Sequence, residues 1–304
     1  MGDNCDLLVV GAGPAGIAAA LQAARDGLSC VILSREPPGG LAMAAGAIGN
    51  LPGFAPGASG PELARVFSRQ VREAGIPLVS GVIEAAATDR GTFRVWGRYG
   101  SWSGCCLLLA TGTEPRPPGV DLPVAVSPLI HRDIRSLPPD LSHLQVAVVG
   151  GGEAALDTAL SMRARGAEVT LWVRSGQIKA PPGLTDQTRQ AGVAIMCGHR
   201  LAQVAAVDDG LALTFHTGSA QQDITVFCHH LALCIGRRPR RELYDLLTGP
   251  DAALPDDLPG PLPGLFLAGD LIRPHSRFIA TAMGDGQRAA RLALAHLSSQ
   301  RSRP

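Results

Sequence analysis

Apolar residues along the chain fall into two patterns, short continuous runs and longer stretches in which they recur with helical spacing. The short runs have the composition of buried β-strands, and we predict strands at 7–10, 28–34, 107–110, 145–149, 167–173 and 265–268. The longer stretches predict helices at 17–25, 62–74, 153–165 and 280–297, the last of them opened near 284–286. Additional short strands are predicted within 76–110 and 193–236. Strands that alternate with helices in this way indicate an α/β fold with parallel sheets.

A glycine motif, Gly11-Ala-Gly-Pro-Ala-Gly16, joins the first predicted strand to the first predicted helix. Gly11 allows the tight turn, Gly13 lets the backbone approach a pyrophosphate, and Gly16 lets the helix pack closely on the strand. A pyrophosphate is favoured at the helix N-terminus by free N–H groups and by the helix dipole. The strand–turn–helix context makes this motif a strong indication of dinucleotide binding.

A second motif of this kind, Val149-Gly-Gly-Gly152-Glu-Ala-Ala155, joins a later strand to its helix. The strand that follows this motif ends at Arg174, with Lys179 nearby, and an arginine at this position suits a 2′-phosphate. The nearest acid after the corresponding strand of the first motif is Glu36, which either binds an adenosine ribose or is a solvated loop carboxylate. Two such turns predict two dinucleotides, or one that is used and one that is vestigial.

The composition is that of a globular protein with room for two domains. Of the 304 residues, 46% are apolar and 17% are charged, and a net charge of +1 gives no electrostatic case for nucleic acid or a membrane surface as partner. We find no signal peptide and no apolar stretch of about 20 residues, so we expect a cytoplasmic protein. Seven irregularly spaced cysteines without a C-x-x-C pair are typical of reduced thiols. The histidines lack partners at ligand spacing, so no metal is predicted.

Six motifs, taken in order along the chain, resemble those of the low-molecular-weight thioredoxin reductase family of pyridine nucleotide–disulfide oxidoreductases. They are Gly11–Gly16, Gly39-Gly40, Asn50-Leu-Pro-Gly53, Ala110-Thr-Gly112, Val149–Gly152 and Ala268-Gly-Asp270. The resemblance implies two Rossmann-like dinucleotide-binding domains. An NAD(P) domain of 114–242 would be inserted into a discontinuous FAD domain of 1–113 and 243–304. The resemblance also implies a cytosolic homodimer.

The same resemblance implies which residues hold the cofactors. Asp270 would bind the ribityl chain of FAD, and the segment from Arg277 to Thr281 would lie against the flavin. The residues predicted at the FAD site are Gly11, Gly13, Pro14, Ala15, Gly16, Glu36, Gly40, Leu41, Asn50, Ala110, Thr111, Gly112, Gly269, Asp270, Arg277, Phe278 and Ile279. Those predicted at an NAD(P)H site are Gly150, Gly152, Glu153 and Arg174.

The chain departs from the family where the redox-active disulfide would stand. The family's Cys-Ala-Thr-Cys and the following Asp align with Leu129-Ile-His-Arg132 and Asp133, so both cysteines are absent. Thiol–disulfide exchange requires a thiolate, and thioredoxin reduction by the family route is therefore disfavoured. The family's phosphate-binding His-Arg-Arg reads Val173-Arg-Ser175 here, a later arginine is Lys179, and Phe278 replaces a glutamine beside the flavin. NADPH, NADH and no nucleotide all stay open.

The segment His131-Arg132-Asp133 supplies the candidate catalytic residues. His131 is suited to acid–base work near neutral pH, Arg132 to holding a substrate carboxylate, and Asp133 to orienting His131 or acting as the acid. The alternative for this segment is a solvated turn or a hinge salt bridge. His275 and Arg277 are second candidates.

The sequence thus predicts an FAD-dependent oxidoreductase that transfers a hydride between its flavin and a small organic substrate, with NAD(P)H or O₂ as second redox partner. Two alternatives stay open. One is an electron-transfer reductase for a ferredoxin-like partner, and the other is a flavin-bound, non-catalytic subunit of a complex. The ferredoxin alternative is weakened because residues 298–304 are not expected to form a helical tail like the one with which that branch covers the flavin.

Overall fold

A computed structural model of the chain describes residues 4–54, 57–217 and 223–301. Its strands are β1 Asn4–Val10, β2 Cys30–Ser34, β3 Leu78–Ser80, β4 Ile83–Asp89, β5 Thr92–Gly97, β6 Gly100–Leu109, β7 Thr113–Pro115, β8 Ile130–His131, β9 Gln145–Val149, β10 Glu168–Val173, β11 Ala194–Cys197, β12 His199–Val207, β13 Gly210–Thr217, β14 Asp223–Cys228, β15 His230–Leu233, β16 Arg237–Pro239 and β17 Leu265–Leu267. Its helices are α1 Pro14–Arg25, α2 Gly60–Glu73, α3 Glu153–Ala164, α4 Pro182–Gln190, α5 Glu242–Thr248 and α6 Ile279–Arg301. Four 3₁₀ helices lie among the described residues, at Gly40–Ala44, Val124–Leu129, Ile134–Ser136 and Gly269–Leu271.

The chain divides into two compact units by its packing. The first unit contains the residues up to Glu114 and those from Pro239 onward, and the second contains Pro115–Arg238. The domains predicted from the sequence are defined by the cofactor each would bind. Packing alone does not test that property, so the assignment of 1–113 with 243–304 to FAD and of 114–242 to NAD(P) stays a prediction.

The first unit is built on a seven-stranded sheet in the order β3-β2-β1-β6-β5-β4, with β17 also paired to β6. The strands β3, β2, β1, β6 and β17 are parallel, whereas β5 and β4 continue the sheet in antiparallel fashion. Leu7, Leu8 and Val9 of the central strand β1 are fully buried, as expected for a parallel strand covered on both faces. The Ala-rich helix α1 packs against α6.

The second unit contains a parallel five-stranded sheet in the order β11-β10-β9-β15-β8 and an antiparallel three-stranded sheet β12-β13-β14. Trp172 of β10 stacks on Phe215 of β13 with their ring centroids 4.1 Å apart, and this contact lies in the core that joins the two sheets. Two parallel sheets of the dinucleotide-binding type confirm the predicted fold class. None of the helices in the described residues is long and apolar enough to cross a membrane.

The last helix differs from the prediction at both ends. α6 begins at Ile279, so Gly284 and Gly286 lie within the helix and do not open it. Glycine is needed inside the helix because a Cβ at Gly286 would come within 2.0 Å of Ala15 O in α1. The helix also continues through Ser298–Arg301, which the sequence prediction places outside a helix. The buried side chain of Leu297 anchors these last turns to the core.

Candidate functional site

The first glycine turn requires glycine at two positions for internal reasons and leaves a third position open. Gly11 has a φ of +113°, and a Cβ there would lie 2.3 Å from Ala110 O. A Cβ at Gly16 would lie 1.9 Å from Gly11 O. A Cβ at Gly13, in contrast, would meet no atom within 4 Å. The open face at Gly13 is suited to a ligand that approaches the backbone.

The N-terminus of α1 faces this turn without a compensating side chain. Gly13 caps the helix in an extended conformation and makes no side-chain hydrogen bond, and Pro14 is the first helical residue. The first turn, which includes the buried Ala15, contains no acidic residue. The unpaired N–H groups of this turn and the helix dipole therefore favour a phosphate group at this position.

The segment Gly39-Gly40 lies over the first glycine turn. Gly39 N–H donates to Ala12 O at 2.8 Å, and a Cβ at Gly40 would lie 3.0 Å from Gly13 Cα. Leu41 follows directly in a half-buried 3₁₀ turn. The predicted cofactor-binding residues of this segment therefore lie against the glycine turn.

The Ala110-Thr-Gly112 segment lies beside the end of β1. Ala110 N–H donates to Val10 O at 2.9 Å. Thr111 Oγ1 donates to Arg240 O at 2.7 Å, and Arg240 N–H donates to Gly112 O at 2.9 Å. These bonds fix the turn that follows β6 at the same edge of the sheet as the first glycine motif.

The Ala268-Gly-Asp270 segment reaches the N-terminus of α1 from the other half of this unit's sequence. Gly269 has a φ of +71°, and a Cβ there would lie 3.0 Å from Ala15 Cβ. Asp270 follows in a 3₁₀ turn and is half-buried. The structure thus brings four of the six sequence motifs together within the first unit, namely 11–16, 39–40, 110–112 and 268–270.

Arg277, Phe278 and Ile279 lie just before and at the start of α6. Arg277 Nε is buried and has no hydrogen-bond partner among the described residues. Phe278 is 48% exposed although its side chain is large and apolar, and Ile279 packs against the core. An unpaired buried N–H and an uncovered aromatic ring are features that a bound ring system with acceptor atoms would satisfy. The residues of the first unit therefore fit FAD.

Two other residues predicted at the FAD site make local contacts or lie at the surface. Glu36 is half-buried, pairs with Arg35 at 3.2 Å, and donates its backbone N–H to Ser34 Oγ. Asn50 is exposed in the loop that follows Ile48. These observations do not test ribose or flavin binding, so both assignments stay predictions.

The glycine turn of the second unit has the same construction. Gly150 has a φ of +154°, and a Cβ there would lie 2.3 Å from Cys234 O. A Cβ at Gly152 would meet no atom within 4 Å. Glu153 is exposed in the first turn of α3, where its charge opposes that of an incoming phosphate.

The loop that follows β10 carries two cations and is bridged to this turn. Arg174 is exposed directly after the strand. Lys179 N–H donates to Gly151 O at 2.6 Å, and Gly152 and Lys179 form an isolated β-bridge. The backbone of the loop is thereby held against the second glycine turn.

His131 has partners that the sequence does not reveal. It is 4% exposed in the short strand β8, at the edge of the five-stranded sheet. Its Nδ1 lies 2.9 Å from Ser136 Oγ, and its Nε2 lies 3.0 Å from His230 Nδ1. The Ser136 hydroxyl donates to Asp133 O at 2.8 Å, so it accepts from His131 Nδ1–H, and His131 Nε2 then accepts from His230 Nδ1–H.

Burial disfavours the protonated form of both histidines. It lowers the pKa of His131 to about 4, with the neighbouring His230 adding to the effect. Burial, together with His229, also lowers the pKa of His230. Both rings are therefore neutral at pH 7. This corrects the expectation that His131 titrates near neutral pH, which assumed an exposed imidazole.

Asp133 and Arg132 stand apart from this histidine pair. Asp133 caps the 3₁₀ helix 134–136 and forms a charge-assisted hydrogen bond with Arg135. The hydrogen bonds from Arg135 outweigh burial and lower the pKa of Asp133. The carboxylate therefore does not orient the His131 ring. Arg132 is exposed, and its role in holding a substrate carboxylate stays a prediction.

Sequence reasoning missed Ser136 and His230 as partners of His131, because 99 residues separate the two histidines and only the pairing of β8 with β15 brings them together. The adjacent histidines 229 and 230 were the one available signal. Sequence reasoning also missed a buried ion pair in the first unit, formed by Asp285 and Arg273. The described residues contain no group of three or more His, Cys, Asp or Glu side chains that could hold a metal ion.

The cysteines form no disulfide among the described residues, and burial makes at least four of the thiols unreactive. All seven cysteines lie in the described part of the chain, and all are free. Burial raises the pKa of Cys5, Cys106 and Cys228 to about 12 and that of Cys30 to about 11. These thiols are therefore protonated and weak nucleophiles at neutral pH.

Two glycine turns of this construction, each between a parallel strand and a helix, define a protein of the class that binds two dinucleotides. The chain matches the family described as pyridine nucleotide-disulphide oxidoreductase over residues 5–286, and it therefore belongs to that family. The family binds FAD and NAD(P)H, and its members are oxidoreductases.

Curated relatives carry two different names. The chain is 28% identical to the ferredoxin–NADP reductase of Ignicoccus hospitalis over 286 residues, which cover 91% of this chain and 93% of that protein. It is 26% identical to the thioredoxin reductase of Treponema pallidum over 317 aligned positions, covering 98% and 99% of the two chains. Among solved structures, the thioredoxin reductase of Lactococcus lactis superposes with a TM-score of 0.91 at 21% identity, covering 97% of this chain and 100% of that one. The last comparison shows the fold.

Proposed function

We propose that this protein is an FAD-dependent oxidoreductase that exchanges a hydride between its flavin and a small organic substrate without a thiol relay. NAD(P)H or O₂ serves as the other redox partner. When bound, FAD supplies the acceptance and donation of the hydride, and the protein supplies binding, orientation and control of protons. As the family resemblance implies, we also propose that the protein works as a cytoplasmic homodimer.

The absence of a usable cysteine pair is the observation that carries this proposal. Leu129 and Arg132 stand where the resemblance places the disulfide, and all seven cysteines are free. A dithiol relay needs two neighbouring thiols, one of them a thiolate. We therefore propose that electrons leaving the flavin pass directly to a reactant, and this disfavours thioredoxin reduction by the family route.

The first unit supports the cofactor assignment. The open face at Gly13 and the N-terminus of α1 would hold the pyrophosphate. Asp270 would accept hydrogen bonds from the hydroxyls of the ribityl chain. Arg277, whose buried Nε has no partner among the described residues, would lie against the ring system. Each of these groups is a suitable partner for the part of FAD that it would meet.

The second unit supports a nicotinamide nucleotide as hydride donor. The open face at Gly152 would receive the pyrophosphate, and the bridged loop places Arg174 and Lys179 after β10, where cations suit a 2′-phosphate. Glu153 at the start of α3 reduces the attraction for phosphate. We therefore propose weaker and exchangeable binding here.

For the substrate we propose a carboxylate-bearing or otherwise polar small molecule held by Arg132, which is exposed. In this proposal His131 is a neutral, hydrogen-bonded ring and does not act as an acid, because its pKa is lowered to about 4. Asp133 holds Arg135 and keeps the backbone of this segment in place.

Anaerobic stopped-flow absorption of the purified protein tests the proposal. We expect a yellow protein whose flavin band bleaches with NADH or NADPH and returns when air or the substrate is admitted. If the flavin band stays unchanged with both nucleotides but bleaches with substrate, O₂ and not NAD(P)H is the second redox partner, and the protein is an oxidase. A colourless protein that takes up no added FAD would contradict the proposal as a whole.

An electron-transfer reductase for a ferredoxin-like partner is the second candidate. The similarity to a ferredoxin–NADP reductase over nearly its whole length favours it. It predicts that NADPH-reduced protein passes single electrons to a ferredoxin at least as fast as to a dye. Reduction of a dye such as ferricyanide without reduction of any ferredoxin would argue against it.

A further inference from the structure

A buried carboxylate lies beside the Ala268-Gly-Asp270 turn, outside the residues assigned to the cofactor. Asp285 of α6 is 5% exposed. Its Oδ2 accepts from Gly269 N–H at 3.3 Å and from Arg273 Nε at 2.9 Å, and its Oδ1 accepts from Arg273 Nη2 at 3.0 Å. A buried carboxylate is tolerated only when it is paired and hydrogen-bonded, and Asp285 satisfies both conditions.

Arg273 connects this carboxylate to a second loop. Its Nη1 donates to Asp256 O at 2.9 Å, and Nη2 lies 3.8 Å from the carboxylate of Asp257. The Asp257 side chain is 61% exposed, so that outer pair contributes little. The two parallel hydrogen bonds to Asp285 are therefore the contact that fixes Arg273.

The turn that Asp285 holds is packed against the start of α1. A Cβ at Gly269 would lie 3.0 Å from Ala15 Cβ and 3.5 Å from Ala282 Cβ. One residue beyond Asp285, a Cβ at Gly286 would lie 2.0 Å from Ala15 O. α6 and α1 are thus in backbone contact beside the carboxylate, which accepts a hydrogen bond from Gly269 N–H next to this contact.

We infer that Asp285 and Arg273 are positioning residues that hold Asp270 in place for the ribityl end of FAD. The inference rests on the proposed function and deepens it. Asp285 contacts the backbone of the turn and the Arg273 side chain, so its loss displaces the turn. The pyrophosphate end depends on Gly13 and the N-terminus of α1, which Asp285 does not hydrogen-bond. Loss of Asp285 should therefore weaken one end of the cofactor site selectively.

FAD and ADP-ribose separate the two ends, because ADP-ribose has the pyrophosphate but neither the ribityl chain nor the flavin ring. Asp285→Asn keeps the side-chain size and an acceptor oxygen but removes the charge that pairs with Arg273. In titrations of flavin-free, full-length protein we expect the Kd for FAD to rise about 10- to 100-fold and the Kd for ADP-ribose to change by less than about threefold. Asp257→Asn, which removes only the outer carboxylate, is the control and should leave both constants within about twofold.

The same two dissociation constants can also contradict the inference. An unchanged affinity of Asp285→Asn for FAD would overturn it, and so would equal losses for FAD and ADP-ribose, which indicate a general loosening of the unit. If Asp285→Asn does not fold, Arg273→Lys is judged by the same two ratios, because it keeps the charge but not the two parallel hydrogen bonds. Wild-type protein that binds ADP-ribose but no FAD would contradict the proposed function instead.

Discussion

The two glycine turns are built alike but are enclosed differently. In the first unit the third motif position is Gly16, where a Cβ would lie 1.9 Å from Gly11 O, and Gly40 crosses over Gly13. In the second unit the corresponding third position is Ala155, and the turn is bridged by Lys179, which follows Gly152 at the same sequence separation as Gly40 follows Gly13. Each turn also meets the end of a later strand, Ala110 in the first unit and Cys234 in the second, but the first turn is approached in addition by Gly269, from far along the chain.

We propose that this difference, together with the charge at each helix N-terminus, distinguishes a resident ligand from an exchangeable one. The walls of the first site come from residues around 11, 40, 110 and 269, so they assemble only when the whole unit is folded. A ligand bound there would stabilise that unit by mass action. The walls of the second turn come from residues around 150, 179 and 234, and the turn carries Glu153 at its helix N-terminus. The proposed functions of tightly held FAD and exchangeable NAD(P)H correspond to these two constructions.

Alanine at the open glycine of each turn should show this contrast with the largest effect. Gly13 (φ −76°) and Gly152 (φ −103°) have extended conformations that alanine adopts, and neither Cβ would meet a protein atom within 4 Å. We expect Gly13→Ala to fold but to lose at least about 100-fold in FAD affinity, or about 2.8 kcal/mol, since Gly40 prevents the ligand from shifting. Gly152→Ala should keep its flavin and lose about tenfold in NAD(P)H affinity.

Flavin content after gel filtration and nucleotide titration by flavin fluorescence measure these effects. The two variants serve as controls for each other, because each should spare the other ligand. Stoichiometric flavin in Gly13→Ala would show that the open face is not the pyrophosphate site. Equal losses of both ligands in either variant would remove the distinction between the two turns.

The close contact of α6 with α1 can be tested with two glycines of one helix. A Cβ at Gly286 would lie 2.0 Å from Ala15 O, whereas a Cβ at Gly284 would meet no atom within 4 Å. We expect Gly286→Ala to destabilise the protein by about 1–3 kcal/mol through overpacking. Gly284→Ala should stabilise it by up to about 1 kcal/mol, because alanine favours a helix. Chemical denaturation of the two variants measures the difference, and a shared sign would contradict the backbone contact.

Much of the fold could be predicted because its signals are local. The buried run Leu7–Val10 followed by glycines is enough to specify strand, turn and helix. The predicted span 280–297 begins within one residue of α6, but its opening was placed near residues 284–286, because glycines are typical of helix ends until the contact of Gly286 with α1 is known. The role of Gly286 depends on Ala15 of α1, more than 250 residues away in sequence, and no local pattern carries that information.

The candidate site was predictable where it depends on backbone shape and not where it depends on side-chain pairing. Gly11, Gly16 and Gly269 were found because each close contact excludes a side chain. The pairing of His131 with His230 follows from the order of strands in a sheet, which sequence spacing does not give. From the sequence, His131 was therefore given the pKa of an exposed histidine, although its side chain is buried.

The two units also differ in the kind of polar group that they bury. Asp285 and Arg273 form an ion pair in the first unit, whereas His131 is buried in neutral form in the second. The pKa of His131 is lowered to about 4, so as pH falls below about 6.5 the unfolded chain takes up a proton that the folded chain refuses. The contribution of His131 to the free energy of unfolding should therefore fall between pH 6.5 and 4, by at most about 1.4 kcal/mol per pH unit, and be flat above that range.

Thermal unfolding of wild type and His131→Gln at pH 7.5 and 5.0 measures this contribution. We expect a smaller loss of stability on acidification in His131→Gln than in wild type, with each protein compared with its own value at pH 7.5. His143→Gln, at an exposed position, is the matched control and should behave like wild type. Identical acid sensitivity in all three proteins would show that His131 is not the group that titrates.

The smallest expected effect concerns the cations of the second unit. Arg174 is exposed directly after β10, in the loop that is bridged to Gly152 through Lys179. Because it lies in water, its contact with a 2′-phosphate is screened and should contribute about threefold to tenfold in affinity. We expect Arg174→Ala to raise the Kd for NADPH by this factor and to leave NADH within about twofold. Arg189→Ala, which removes an exposed cation from α4, controls for net charge. Equal weakening of NADPH and NADH would place Arg174 at the shared pyrophosphate, and the second turn would then resemble the first in what it recognises.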